Sequence, residues 1–335
     1  MAEIQNILEI QPNKISKDLT SYNFLFYSKP GVGKTTLAVK MFPKHFIIGA
    51  EYGFKGIPGA LGVPVPDYYS LSQYVNQLDT DAAREKFDTI IVDTTTKIGK
   101  MLEEYILSQY GKNFMGDCKQ HGGAYPLIDR YYDLVFNRLK ARGYNFVYIC
   151  HANEIEVKDS DGVFQYYRYT PKMSDRMRNL IEPEVDYIWY VGKDDNAADN
   201  ENRFVITDAT IKNEGKSRTN LPIKVIINDG AVNLKDLLIK GILEKGGDMI
   251  TEDRAKTTVV QGNYEERDYR EVISSINALG QELVNLNKSA QAMEIVNNGL
   301  GTDSNGVQRT LASMTQLNYQ VLIKIETDLK ALKDS

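Results

Sequence analysis

Phe24-Leu25-Phe26-Tyr27-Ser28-Lys29-Pro30-Gly31-Val32-Gly33-Lys34-Thr35-Thr36 is the stretch that decides the fold. An apolar run, Phe24 to Tyr27, enters a short segment with two glycines, and Leu37-Ala38-Val39-Lys40-Met41 leaves it with helical spacing. Strand, glycine loop and helix in that order form the context in which a phosphate-binding loop works. Pro30, Gly31, Val32, Gly33, Lys34, Thr35 and Thr36 are the expected nucleotide cradle. Backbone N–H groups of such a loop turn inward on the phosphates, and the helix N-terminus behind them adds partial positive charge. Lys34 is placed to reach the β- and γ-phosphates, and the Thr35 hydroxyl to hold Mg²⁺. The first position of the usual G-x-x-x-x-G-K-[ST] pattern is Ser28, where a turn is expected to open and Gly is the least strained choice. The stretch predicts an NTP-binding protein.

The 335 residues leave room for one large α/β domain and a small appendage, and 42% hydrophobic with 25% charged residues is ordinary for a soluble globular chain. A net charge of −5 excludes a generally basic nucleic-acid coat but not a local basic channel. Two cysteines, Cys118 and Cys150, rule out a disulfide framework or a four-thiolate zinc site and are expected to be free thiols. Cys118-x-x-His121 has the spacing of half a zinc site with no second pair nearby. Met1 to Asn6 lacks the features of a secretory signal, and no apolar run approaches the roughly 20 residues of a membrane helix. A cytoplasmic, reducing setting is expected.

Beyond the loop, buried strands are expected over Lys44–Glu51, Phe87–Asp93 and Tyr144–His151, each apolar run ending in a polar residue. Helical spacing covers Leu71–Leu78, Ile98–Tyr110 and Tyr125–Arg142. Asp159-Ser160-Asp161-Gly162 between Ile155–Lys158 and Val163–Tyr169 signals a hairpin. Further strands are expected over Asp186–Val191, Arg203–Ile211 and Ile223–Ile227. The alternation predicts an α/β fold: a P-loop core with a mostly parallel sheet. We expect that core over residues 1–247, a linker over 248–264 and a small helical module over 265–335. In the module Val272, Ile276, Leu279, Leu283 and Leu286 mark one stripe, Ala292 to Val296 a short helix, and Leu317, Val321, Ile325 and Leu329 another stripe.

Asp93, ending a Val/Ile-rich strand, suits the Walker B role, a carboxylate on the Mg²⁺ site. Thr94-Thr95-Thr96 follows, so no glutamate stands directly after it as a base. Glu51 ends the strand that lies between the loop and Asp93 in the chain, an order that disfavours a small-molecule kinase. It should emerge on the same sheet rim, able to orient or deprotonate the water that attacks the γ-phosphate. His151 ends the next strand in the same manner and is placed to sense that phosphate. After it, aromatics interleave with cations through Tyr166, Arg168, Lys172, Arg176 and Arg178, with Lys158 before them. From Arg138 to Arg178 eight Lys/Arg face five Asp/Glu, a locally positive stretch in an acidic chain. Rings and backbone-tracking cations hold single strands without sequence preference, and a hairpin with packed tyrosines has the same pattern. Lys212 to Arg218 is a second basic turn, either a solvated loop or a cation reaching a neighbouring subunit's γ-phosphate.

These pieces resemble the RecA-core ATPases, and more closely their phage branch, the phage nucleotide-binding proteins that include the RecA-like Sak group of single-strand annealing proteins. The resemblance runs from Tyr22 to Pro222 and rests on Pro30–Thr36, Phe46–Glu51, Ile90–Thr94, Tyr148–His151 and the Lys212–Arg218 turn. It implies a RecA-like core, ATP and Mg²⁺ as ligands, ATP hydrolysis stimulated by DNA, and single-stranded DNA as partner in recombination or annealing. It further implies assembly into a ring or filament. By likeness Glu51 matches the catalytic glutamate, His151 the γ-phosphate sensor leading to a DNA-binding loop, and Lys216 with Arg218 the cations that act across a subunit interface. Residues 249–335 carry no motif of that family and are read as a partner-recruiting module, with a single-strand DNA-binding protein as candidate. Rival readings are a helicase loader or helicase-like motor on the same core, and a nucleotide-gated binding module with little turnover.

Overall fold

A computed structural model of the chain describes residues 15–118, 123–194, 203–227, 232–246, 250–251, 268–301, 308–314 and 318–334. The chain divides into two compact units, Met1–Val260 and Gln261–Ser335. Strands of the first are β1 (Ile15–Ser16), β2 (Phe24–Ser28), β3 (His45–Gly49), β4 (Gly62–Pro64), β5 (Thr89–Asp93), β6 (Asn145–Lys158), β7 (Phe164–Pro171), β8 (Tyr187–Lys193), β9 (Arg203–Ile206), β10 (Lys224–Ile227) and β11 (Ile250–Thr251). Its helices are α1 (Lys34–Met41), α2 (Tyr68–Leu78), α3 (Asp81–Lys86), α4 (Thr95–Tyr110), α5 (Pro126–Ala141), α6 (Asp175–Ile181) and α7 (Val232–Gly246).

The main sheet has the order β10-β9-β8-β2-β6-β5-β3-β4, and β7 extends it as a hairpin partner of β6. From β8 to β4 every neighbouring pair is parallel, while β9 and β10 close the other edge antiparallel. Burial on both faces explains why β2 and β5 read as continuous apolar runs instead of alternating ones. Phe24, Phe26, Val147, Ile149 and Trp189 pack on one face with Leu37 and Ala38 of α1 and Leu234, Leu238 and Ile242 of α7. The opposite face meets α5, where Phe136 packs on Phe146 and the Tyr132 and Tyr148 hydroxyls are 2.8 Å apart. The expected α/β core with a mostly parallel sheet is therefore what the chain forms. In space, β6 lies between the phosphate-loop strand β2 and the Asp93 strand β5, and the Glu51 strand β3 lies beyond β5.

The hairpin turn forms as its residues dictate. Gly162 takes a φ of 79°, and the Asp159 carboxylate accepts from the N–H groups of Asp161 and Val163. Several elements lacked a clear sequence signal, among them β4, α3, α6 and α7. The strand expected over 203–211 stops at Ile206, where Thr207 turns its N–H to the carbonyl of Ile223.

The second unit holds α8 (Tyr269–Asn285), α9 (Ser289–Leu300) and α10 (Tyr319–Asp334). Val272, Ile276, Leu279 and Leu283 are buried as expected, and Leu286, just past the helix end, is exposed. The α10 stripe is Leu322, Ile325 and Leu329, and Val321 stands exposed. A strict four-residue step drifts off a 3.6-residue helix, which moves Val321 to the flank. Leu317, His121 and most of the 248–264 segment lie outside the described residues. Among the described residues no helix is long and apolar enough to cross a membrane.

Trp189, the sole tryptophan, is fully buried and stacks on Phe26 at 5.7 Å between ring centroids. Phe26→Ala is expected to cost about 3–5 kcal/mol, read as a lower urea midpoint in the emission of Trp189. An unchanged midpoint would contradict this core.

Candidate functional site

Parallel pairing brings the ends of β2, β5 and β3 to one rim beside His151, where β6, expected to end, instead runs on to Lys158. Ser28 pairs with His151, Gly49 with Asp93, and Asp93 with Ile149. Beyond Ser28 the chain turns through Gly31 and Gly33, with φ of 78° and 102°, and enters α1 with Gly33 as its N-cap. Ser28 is the last residue of a strand and shows no positive φ, so the turn it was expected to open starts later and Gly is not required. Its hydroxyl has work of its own, donating to the Lys29 carbonyl at 2.8 Å and accepting from Lys34 Nζ at 3.1 Å. Lys34 Nζ also donates to the carbonyls of Lys29 at 3.1 Å and Ser28 at 3.3 Å. Burial lowers the Lys34 pKa, and the neighbouring Cys150, Asp93 and Glu51 oppose that shift.

The Thr35 hydroxyl donates to Asp93 Oδ2 at 2.8 Å, so the two residues assigned to the metal meet. Asp93 is 4% exposed, and burial raises its pKa; the Thr35 bond works against this and the Glu51 charge adds to it. A hydroxyl and a carboxylate are hard oxygen donors, the type that suits Mg²⁺. Among the described residues no three His, Cys, Asp or Glu side chains converge as a metal site. A cation held by this pair would need phosphate oxygens and water to complete its shell, as Mg²⁺ does in nucleotide sites.

Glu51 follows β3, and its N–H donates to the Asp93 carbonyl at 3.0 Å. Its carboxylate accepts from Thr94 Oγ1 at 3.1 Å and lies 3.1 and 3.2 Å from His151 Nε2. A carboxylate acceptor assigns the hydrogen to Nε2, leaving Nδ1 buried without a partner among the described residues. Glu51 and His151, 100 positions apart in the chain, thus form one polar cluster with Asp93 and Thr94.

The residues expected on DNA lie on several elements: Lys158 on β6, Tyr166 and Arg168 on β7, Lys172 just after it, and Arg176 and Arg178 on α6. The β6–β7 register opposes Ile155 to Arg168 and Val157 to Tyr166, so Tyr166 and Arg168 share one face of the hairpin. Lys158 sits at its bulged end beside Glu156, 3.4 Å away. Lys172 follows β7, where its N–H donates to the His151 carbonyl at 2.8 Å. Arg176 pairs with Asp129 at 2.8 Å, and Arg178 pairs with Glu182 and Glu214. Both arginines lie on α6 and are engaged in these ion pairs.

Lys216 and Arg218 lie away from this chain's own loop. Lys216 pairs with Ile188 and its Nζ donates to the Glu182 carbonyl at 3.0 Å. Arg218 bonds Asp186, which meets Asn23 at the start of β2. Asn23 and Ser28 are five residues apart, roughly 17 Å along a strand.

Three further residues at the site had no role assigned from the sequence. Lys29 of the loop bonds Glu154 of β6 at 2.8 Å and lies over the Tyr169 ring of β7. Thr94 steadies Glu51, and the Arg203 guanidinium lies against Gly33. Lys29 and Thr94 flank recognised motif positions, which is the hint that was present; Arg203 opens a four-residue strand after a polar loop and gave none.

The family described as AAA domain matches residues 20–219. The chain belongs to that family, a P-loop ATPase domain. The SPbeta prophage-derived uncharacterized protein YorG of Bacillus subtilis (strain 168) is 23% identical over 337 aligned positions, spanning 98% of each chain. A crystal structure of the RadB recombinase aligns with 58% of this chain and 84% of its own at a TM-score of 0.35 and 11% identity.

Asp93→Asn keeps an acceptor for Thr35 and removes a buried charge. Because burial raises the folded pKa above the ordinary 3.8, the folded chain holds this proton to higher pH than the unfolded chain, and stability is lost as pH rises through the folded pKa. Without nucleotide, the variant is expected to melt above the wild type near neutral pH, the gap closing as pH falls towards 3.8. Equal melting temperatures at neutral pH would contradict the burial of a charged Asp93.

Proposed function

We propose that the protein is a phage-encoded, Mg²⁺-dependent ATPase of the RecA type, stimulated by single-stranded DNA and acting in recombination or single-strand annealing. One observation carries the reading. Strand β6 passes through the site at His151 and continues unbroken into the hairpin with Tyr166 and Arg168 on one face. A single strand therefore links the γ-phosphate end of the site to a ring-and-cation surface suited to single strands.

In this reading the loop N–H groups and Lys34 hold the polyphosphate, and Glu51 orients and deprotonates the attacking water. Thr35 and Asp93 would hold Mg²⁺ arriving with ATP, which would supply charge neutralisation at the phosphate oxygens. His151 donates to Glu51, and a γ-phosphate competes for that Nε2 hydrogen. The change passes to Lys172 through the His151 carbonyl, and to the hairpin through Lys29 and Glu154. Lys216 and Arg218, remote from their own loop, act on a neighbour's γ-phosphate in a ring or filament, which requires Arg218 to leave Asp186. The helical unit recruits a partner such as a single-strand DNA-binding protein.

Glu51→Gln is expected to lower ATP turnover by about two orders of magnitude or more while the variant still binds an ATP analogue. Turnover unchanged in that variant favours a binding module with another purpose. Tyr166→Ala combined with Arg168→Ala is expected to weaken single-stranded DNA binding about tenfold or more in the ATP state. DNA affinity equal to the wild type removes the hairpin from the account.

A further inference from the structure

Arg203 opens β9 and pairs with Lys193, the last residue of β8. Since β8 runs parallel to β2, Arg203 stands on the rim where β2 gives way to the phosphate loop. A Cβ built on Gly33 would lie 2.7 Å from Arg203 Nη1 and 3.0 Å from its Cζ. The guanidinium therefore covers the glycine that caps α1, and only the missing side chain of Gly33 leaves room for it. Arg203 is exposed, and no carboxylate pairs with it among the described residues.

Its placement is electrostatically one-sided. Lys34 Nζ already sits in the loop, and the α1 N-terminus contributes further positive character. A third cation at this point gains its counter-charge from a bound anion. Asp93, Glu51 and His151 stand on the β6, β5 and β3 side of the loop and mark the γ-phosphate end. Arg203 approaches from the β8–β9 side, opposite to them.

We propose that Arg203 is a nucleotide-binding residue acting within its own subunit, with its planar fork on the α-phosphate side of the polyphosphate. The proposal rests on reading the loop as a nucleotide site. That end is common to ATP and ADP, so Arg203 holds both, in contrast to groups that meet only the γ-phosphate.

Titration calorimetry of the full chain with ADP and with a non-hydrolysable ATP analogue, each with Mg²⁺, tests this. Arg203→Ala is expected to weaken both ligands by about tenfold or more and by similar factors, with Arg203→Lys intermediate. Arg203→Gln, read against the wild-type melting curve, serves if the alanine form does not fold, and the same loss is expected of it. Unchanged affinity for both ligands overturns the proposal, as does a loss confined to the ATP analogue. A wild-type chain that binds neither ligand overturns the nucleotide-site reading itself, an outcome distinct from a variant that matches a binding wild type.

Discussion

Everything at the site depends on the parallel register of β2, β6, β5 and β3. Ser28 beside His151 and Gly49 beside Asp93 fix which side chains emerge together, because a one-residue slip would turn each to the other face. Within that frame the Thr35–Asp93 bond ties α1 to β5. The Glu51–His151 contact then ties the strand beyond β5 to the strand between β5 and the loop. Buried Asp93 is costly in itself, and a site that holds a raised carboxyl beside a second carboxylate has the character of functional machinery more than of a stabilising core.

The connection from loop to hairpin is built from interactions of unequal strength. Backbone bonds, such as that from Lys172 to the His151 carbonyl, keep the base of the hairpin fixed. The Lys29–Glu154 pair is half-exposed and of the class worth about 0–1 kcal/mol, too little to hold the fold together. A contact that weak is easily redistributed when phosphate enters the loop. In the proposed coupling, its position between the loop and the Tyr169 edge of the hairpin makes it the contact that would pass the change.

Much of this was legible in the sequence, for physical reasons. Strands buried on both faces must be apolar runs, so β2, β3, β5 and β6 announced themselves, and the polar residue that ends each run marked Glu51, Asp93 and His151. The hairpin was legible because Gly162 and Asp159 are the residues its turn demands. The neighbours of those strands were not. Nothing in the chain order says that β6 lies between β2 and β5, since that follows from long-range pairing. Arg203 was invisible because its place beside Gly33 comes from an antiparallel return beside β8, not from a motif. Val321 was misplaced and Leu322 overlooked because a four-residue step approximates the helical period only over a short run. Ser28 looked like a defect in the loop pattern, yet it is a strand residue whose hydroxyl holds the lysine.

The central claim is that the nucleotide state of the loop sets the DNA affinity of the hairpin, and linkage makes that claim reciprocal. The most direct test is equilibrium binding of a labelled single-stranded oligonucleotide to the full chain without nucleotide, with Mg²⁺ and ADP, and with Mg²⁺ and a non-hydrolysable ATP analogue, at one fixed salt concentration. The account predicts a tighter complex in the ATP-analogue state by about fivefold or more, within the usual range of coupling between sites. The same affinity in all three states, or no binding in any, would contradict it.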